Sequence, residues 1–286
     1  MRPKILVTGS RGMLGRDVVE AFERDCQVIC LPKEELDITD EARVGAVLSE
    51  SRPSVVINCA AFTKVDLCEE KRELAFLVNA KGPENLARWC SKLNIKLVHI
   101  STDYVFDGTA SAPYDEDSPT CPINVYGASK LEGEEAVARF STDFLIIRTS
   151  WLFGRSGPNF ITTMLSLAKE RSSLQVVDDQ RGRPTYTRDL AWAIGLLLEK
   201  SARGIVNFAN SGDCTWFDLC RYSLKRAGID HVTVEPVSSD RFKRPARRPA
   251  YSVLSLERFR KLTHSQPRHW KEAVDSFLKE IGASAN

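Results

Sequence analysis

The run Lys4-Ile5-Leu6-Val7-Thr8-Gly9-Ser10-Arg11-Gly12-Met13-Leu14-Gly15 decides how this chain folds. Lys4 to Thr8 is a short aliphatic, β-branched stretch that reads as a strand. It runs into a turn with glycines at 9, 12 and 15, a GxxGxxG spacing. From Gly12 to Arg24 the apolar residues Leu14, Val18, Val19 and Phe22 recur at helical spacing. Strand, glycine turn and helix in that order open a βαβ unit. Glycine at these points lets the backbone turn tightly and approach a pyrophosphate, while the free N–H groups of the helix start face the anion. A glycine-rich turn alone says little, but between a strand and a helix it reads as a dinucleotide site lined by Gly9, Arg11, Gly12, Met13, Leu14 and Gly15.

The same rhythm continues outward. Gln27 to Leu31, Ser54 to Asn58, Lys96 to Ile100 and Phe144 to Arg148 read as further strands, separated by helical stretches from about Glu41, over Glu69 to Leu93 and over Asn124 to Phe140. Each step takes about 30 residues, the length of a βαβ unit. The expected fold is therefore α/β, a Rossmann-like doubly wound parallel sheet, with a smaller C-terminal lobe for substrate. After Arg148 the strand signals thin out. Helices are predicted at Asn159 to Lys169, Asp189 to Lys200, Trp216 to Ala227 and Trp270 to Ile281, with one short strand at Ile205 to Ala209. Residues 1–150 are expected to form the cofactor-binding unit and 151–286 mainly the substrate lobe, the strand near 205–209 returning to the sheet.

Composition limits the function classes. The 286 residues carry 40 Lys and Arg against 38 Asp and Glu, a net charge of +2, so no global field would recruit nucleic acid or an anionic membrane. The longest apolar run, Leu190 to Leu198, is too short for a membrane span, and the N-terminus does not read as a signal peptide. Eight cysteines without a CxxC pair suggest reduced thiols in a cytoplasmic protein. The four histidines, at 99, 231, 264 and 269, show no ligand spacing, so no metal site is expected.

Two further motifs carry chemistry. Tyr126-Gly127-Ala128-Ser129-Lys130 is a YxxxK at the start of a helix, and residues four apart share a helical face. A tyrosine titrates near 10, so its phenolate must be favoured by about 4 kcal/mol to exchange a proton at neutral pH. An ammonium at Lys130 is expected to supply much of that. Ser101-Thr102-Asp103-Tyr104-Val105-Phe106-Asp107-Gly108 follows the fourth strand and puts a hydroxyl at its carboxyl end, where a substrate carbonyl would lie above a cofactor. Glycine turn, strand-end hydroxyl and YxxxK together describe a hydride-transfer site. The end of the second strand, where NAD enzymes carry an acid for the ribose, here reads Leu31-Pro32-Lys33. Lys33 and Arg11 suit a 2′-phosphate, which favours NADPH over NADH, and Asp37-Ile38 are placed to meet the adenine.

The three motifs resemble the extended short-chain dehydrogenase/reductases that act on nucleotide sugars. Asn58 through Asp66, Val78-Asn79-Ala80, the STDYVFDG run, Tyr114 with Glu116 and Asp117, the YGASKLEGE run, Arg148-Thr149-Ser150-Trp151, and Asp179-Gln180 through Pro184-Thr185 resemble the dTDP-4-dehydrorhamnose reductase family in particular. The resemblance spans residues 4 to about 255. It implies reduction of the C4 keto group of dTDP-4-dehydro-β-L-rhamnose by NADPH, a step in dTDP-rhamnose biosynthesis, with a small-molecule nucleotide sugar as partner and a monomer or homodimer as the assembly. It also implies that Tyr126 donates the proton, that Lys130 is its electrostatic partner and holds the ribose, and that Thr102 positions the carbonyl. Thr102 and Asp103 would touch the sugar, Ala60, Ala61 and Phe62 would line the cofactor, and Trp151 would pack on the sugar or serve as a core aromatic. Asn159 is a weaker substrate candidate. Arg248, in a basic run with Arg241, Lys243, Arg244 and Arg247, is a candidate for the diphosphate, since arginine forks match phosphate oxygens.

Two departures qualify the match. Phe62 stands where the family commonly has Tyr or His. Arg188 stands where some members carry a carboxylate ligand for an interfacial Mg²⁺, which argues against that metal and that route to a dimer. The rival reading is a non-catalytic nucleotide-binding protein resembling the regulatory β subunit of methionine adenosyltransferase, which shares the glycine turn, a DYVFDG run and YxxxK. Trp151 in the RTSW segment speaks for the reductase instead. A nucleotide-sugar epimerase, or a reductase of another nucleotide sugar, would use the same Tyr and Lys.

Overall fold

Six strands lie parallel in the order Gly204–Asn207, Phe144–Thr149, Lys96–Thr102, Val55–Asn58, Lys4–Thr8, Gln27–Leu31. The computed structural model describes residues 2–285. The side-chain period of two explains why the strands read as continuous apolar runs, because both faces are covered. Ile5, Val7, Ile57, Val98, Leu145 and Ile147 pack on one face with Leu190, Ile194 and Leu197. Leu6, Val56, Leu97 and Ile146 pack on the other with Val44, Leu48 and Leu86. The chain turns back between Lys4–Thr8 and Val55–Asn58, whose neighbours on the far sides are the second and fourth strands. Such a reversal leaves a crevice beyond the carboxyl ends of the strands, where open α/β sheets bind ligands.

Helix boundaries differ from the sequence reading mostly by one to three residues: Met13–Phe22, Val125–Phe140, Phe160–Leu167, Thr187–Glu199, Trp216–Arg226 and Trp270–Glu280. One difference is larger. The single helix predicted over Glu69 to Leu93 is a series, Val65–Glu70, Arg72–Phe76, a π-helical turn at Leu77–Lys81, and Gly82–Leu93. Lys71 interrupts it with φ −116° and ψ 53°. Pro83 has no N–H to give to the carbonyl of Asn79 four residues earlier, so the turn there widens.

The second half of the chain is not confined to a separate lobe. Thr187–Glu199 lies on the sheet face beside Met13–Phe22, Gly204–Asn207 extends the sheet as its edge strand, and Phe259 of Glu257–Thr263 joins the same apolar cluster. The rest builds its own core from Phe153, Ile161, Leu165, Leu219, Trp270 and Phe277. Two strands there, Ser173–Val177 and Thr233–Val237, pair in parallel and went unread in the sequence. Ser173, Gln175, Thr233 and Glu235 are half-exposed or exposed members of these strands, so no apolar run marks them. Among the described residues no helix is long and apolar enough to cross a membrane.

Candidate active site

The first strand delivers Gly9 to the crevice with φ +61°, and a Cβ there would lie 2.8 Å from the backbone N of Ala60. Only glycine satisfies both the left-handed backbone and that contact. The helix that follows starts at Met13 with no side chain capping its N–H groups and no acid in its first turn. Those donors and the positive end of the helix dipole are therefore free for an anion. Leu14 and Gly15 are buried against the sheet. Arg11 and Lys33 stand at the mouth, both well exposed; Arg11 lies 3.5 Å from Glu34 and Lys33 3.9 Å from Asp37. Pairs this open are held weakly and can exchange for a phosphate. Asp37 accepts from the backbone and hydroxyl of Thr39, and Ile38 is buried in the core, its carbonyl accepting from Asn85. Glycine cradle, open helix start and paired cations fit a dinucleotide carrying an extra phosphate.

Opposite this turn, Asn124 caps the Val125–Phe140 helix by accepting from the Gly127 N–H at 2.8 Å, while Glu69 accepts from the Val125 N–H at 2.8 Å. These two acceptors fix the end of the helix that carries Tyr126. Asn79, from the π-helical turn, holds Phe62 through both its N–H and carbonyl and donates to the Ser129 hydroxyl at 3.0 Å. Phe62 packs with Tyr126 around Cys68, Ala75 and Val125, so the missing ring polarity leaves the packing intact. Nothing in the Val78-Asn79-Ala80 segment itself announces this task, because Phe62 and Ser129 lie far from it in the chain.

Tyr126 is half-buried, and the desolvation of its hydroxyl raises its pKa; the Thr102 hydroxyl pulls the other way. Lys130 does not counter the burial as the sequence reading expected. Its Nζ meets the fourth strand, donating to the Ile100 carbonyl at 2.7 Å and lying 3.2 Å from His99 Nε2. Burial lowers Lys130 to about 8. The phenol therefore stays protonated at neutral pH, which is the state a proton donor needs. Thr102 donates to Asp103 at 3.0 Å and accepts from the Tyr104 N–H. Burial pushes Asp103 up to about 7, with hydrogen bonds from Ser252 and Thr102 opposing, and its second carboxyl oxygen has no partner.

The remaining candidates lie toward the second core. Trp151 stacks on Trp216 at 3.6 Å between ring centroids, nearly parallel at 8°, with φ +48°. A Cβ on Gly182 would come within 2.5 Å of its indole. Trp216 lines a cleft of about 1400 Å³ together with Phe160, Gln180, Arg171, Arg247 and Arg248. Arg248 grips both oxygens of Asp66, at 3.0 and 2.8 Å, and also hydrogen-bonds Tyr104, whose ring meets Tyr126 edge-on. Asn159 is occupied as a helix cap, accepting from the Thr162 N–H and donating to the Gly154 carbonyl. A Ser/Thr/Asn before an apolar helix is a capping signal, and Asn159 follows it. Ala60 and Ala61 are half-buried beside the glycine turn. Arg188 reaches Glu20 at 2.8 Å and Glu280 at 2.9 Å, with Arg155 pairing to the same two carboxylates. These acids are neutralised by guanidinium groups, an arrangement that does not fit a divalent cation.

The family described as RmlD substrate binding domain matches residues 2–283. The dTDP-4-keto-6-deoxy-D-glucose reductase of Streptomyces niveus is 43% identical over 285 residues, covering 99% of each chain. The dTDP-4-dehydrorhamnose reductase of Streptomyces griseus is 43% identical over 280 residues, covering 96% of this chain and 92% of its own. The structure of dTDP-4-dehydrorhamnose reductase from Bacillus anthracis in complex with NADP is 40% identical and superposes with a TM-score of 0.95, over 98% of this chain and 100% of that one.

Proposed function

The chain belongs to the dTDP-4-dehydrorhamnose reductase family, and on that premise we propose that it reduces the C4 keto group of dTDP-4-dehydro-β-L-rhamnose with NADPH, forming dTDP-L-rhamnose. The observation that carries the reading is the meeting of Thr102 and a half-buried Tyr126, whose pKa desolvation raises, at the sheet's carboxyl edge, across from the open helix start at Met13. The relatives carry reductase names, so a purely regulatory role is not favoured.

NADPH supplies the hydride when bound. The start of the Met13–Phe22 helix and the Gly9 turn receive its pyrophosphate, and Arg11 and Lys33 its 2′-phosphate. As negative charge grows on the C4 oxygen, Tyr126 gives up its proton and Thr102 offers a hydrogen bond, which together lower the barrier. Asp103 and Trp151 orient the sugar, and the arginine-lined cleft beside Trp216 takes the nucleotide diphosphate. In this scheme residues 1–150, with the Gly204–Asn207 strand, serve mainly the cofactor, and the rest mainly the substrate. All eight cysteines are free thiols, which supports action in the reducing cytoplasm.

The test is NADPH oxidation followed at 340 nm with dTDP-4-dehydrorhamnose and a panel of other nucleotide 4-keto sugars. Turnover with the first is expected. Absence of turnover with every 4-keto sugar would overturn the proposal.

A further inference from the structure

The donors of Arg248 are taken up within the chain. Its Nη1 donates to Asp66 Oδ1 at 3.0 Å and to the Ala246 carbonyl at 3.1 Å, its Nη2 donates to Asp66 Oδ2 at 2.8 Å, and the Tyr104 hydroxyl accepts a further hydrogen bond. Burial works against the charge, but Asp66 and Tyr104 outweigh it and raise the Arg248 pKa. A two-pronged pair between a guanidinium fork and a carboxylate fixes direction as well as distance. Tyr104, held at its hydroxyl, presents its ring edge-on to Tyr126, with 5.7 Å between centroids and 76° between planes. The carbonyl oxygen of Tyr104 would lie 2.1 Å from a Cβ on Gly127, so the backbone at 104 abuts the helix start directly after Tyr126.

These contacts close into a ring around Tyr126. Asp66 lies on the helix Val65–Glu70, whose Glu69 accepts from the Val125 N–H at 2.8 Å, one residue before Tyr126. Asn124, which caps the Tyr126 helix, also donates to the Arg247 carbonyl at 2.8 Å, so the segment that carries Arg248 is tied to the same helix start. We propose that Arg248 is a positioning residue for the proton donor, acting with Asp66 through Tyr104, and not a ligand of the diphosphate. The inference rests on the reductase reading and deepens it. A donor must sit within hydrogen-bond reach of the C4 oxygen, and a misplacement on the order of 1 Å can cost about 10² fold in rate. The diphosphate is then left to Arg171 and Arg247, which line the same cleft.

Arg248→Gln and the near-isosteric Asp66→Asn each break the pair, and a carboxylate at 66 has no means of holding a phosphate. Single-turnover hydride transfer at saturating NADPH and nucleotide sugar is measured beside the affinity for dTDP, at a temperature where circular dichroism shows the variants folded. In each variant the rate is expected to fall by roughly tenfold, with no further fall in the double variant and with dTDP affinity held. Weaker dTDP binding by Arg248→Gln at an unchanged saturated rate overturns the proposal and returns the guanidinium to the diphosphate. A wild-type rate in folded Asp66→Asn also overturns it, leaving the pair to stability alone, and this variant decides by itself if Arg248→Gln does not fold. A wild-type protein that reduces no 4-keto sugar sinks the reductase reading instead; the dTDP affinity of Arg248→Gln then still tells whether Arg248 holds the diphosphate.

Discussion

Arg248 and Asp66 form a two-pronged ion pair, at 3.0 and 2.8 Å, between residues 182 positions apart in the chain. The contact ties the basic run of the second half to the helix that begins at Val65, one residue from Asp66, and it places the guanidinium beside Tyr104 and thus behind Tyr126. The hydrogen bonds of Arg248 hold the Asp66 carboxyl below its usual range. A group with a depressed folded pKa adds stability that is present above its unfolded pKa, about 3.9, and is lost as the pH falls through the folded value. Because both side chains are partly exposed, the contribution is discounted to about 1 kcal/mol. Asp66→Asn is expected to lower stability by about that amount at pH 7 in urea unfolding, with the gap from wild type closing below about pH 4. An equal gap at pH 7 and pH 3 would show that the pair does not stabilise through ionisation.

Tyr126→Phe keeps the ring that packs with Phe62 and Val125 but removes the proton. Single-turnover hydride transfer is expected to slow by roughly 10² to 10⁴ fold. NADPH affinity, read by fluorescence quenching, should hold. Thr102→Val removes a donor to the C4 oxygen, together with the bonds to Asp103 and the Tyr104 N–H, but leaves the proton donor in place and should cost less, on the order of tenfold. A Tyr126→Phe enzyme that reduces at the wild-type rate would transfer the proton-donor role to Tyr104 or solvent.

Trp151 has two tasks that a single truncation will reveal together. Its indole stacks on Trp216 at 3.6 Å, so Trp151→Ala should cost about 1 to 3 kcal/mol in stability. The sugar would also lose a wall, so KM for the nucleotide sugar should rise while the affinity for NADPH is kept. Trp151→Phe is expected to restore most of the stability. If Trp216→Ala leaves Trp151→Ala no further stability to lose, the stack accounts for the structural part, and any remaining rise in KM belongs to the sugar.

Lys33 pairs loosely with Asp37 at 3.9 Å and is well exposed. Lys33→Ala should raise KM for NADPH by about fivefold, roughly 1 kcal/mol, and leave KM for NADH nearly unchanged. Steady-state kinetics with both cofactors reads the difference directly. Equal effects on the two would remove Lys33 from 2′-phosphate recognition.

What the sequence determined by itself was everything written in local periodicity and local conformational need. Ile5 and Val7 against Leu6 already carry the two-residue period of a strand covered on both faces. Gly9 reports its left-handed turn, and Tyr126 and Lys130 report a shared helical turn, because a helix repeats every 3.6 residues. The π-helical turn at Leu77–Lys81 was less legible, since one missing N–H at Pro83 changes it without altering the apolar pattern. What only the tertiary structure decided was which partner each polar group takes. Asn159 stands in the sequence as a substrate candidate at the start of a helix, and only Gly154 and Thr162 around it show that its side chain caps that helix. Nothing near residue 130 in the sequence says that Lys130 turns to His99 and the Ile100 carbonyl instead of toward Tyr126. Nor does anything near residue 248 point to Asp66. A buried charge or amide must find a complementary atom wherever packing brings one, and packing joins segments that the chain itself keeps far apart.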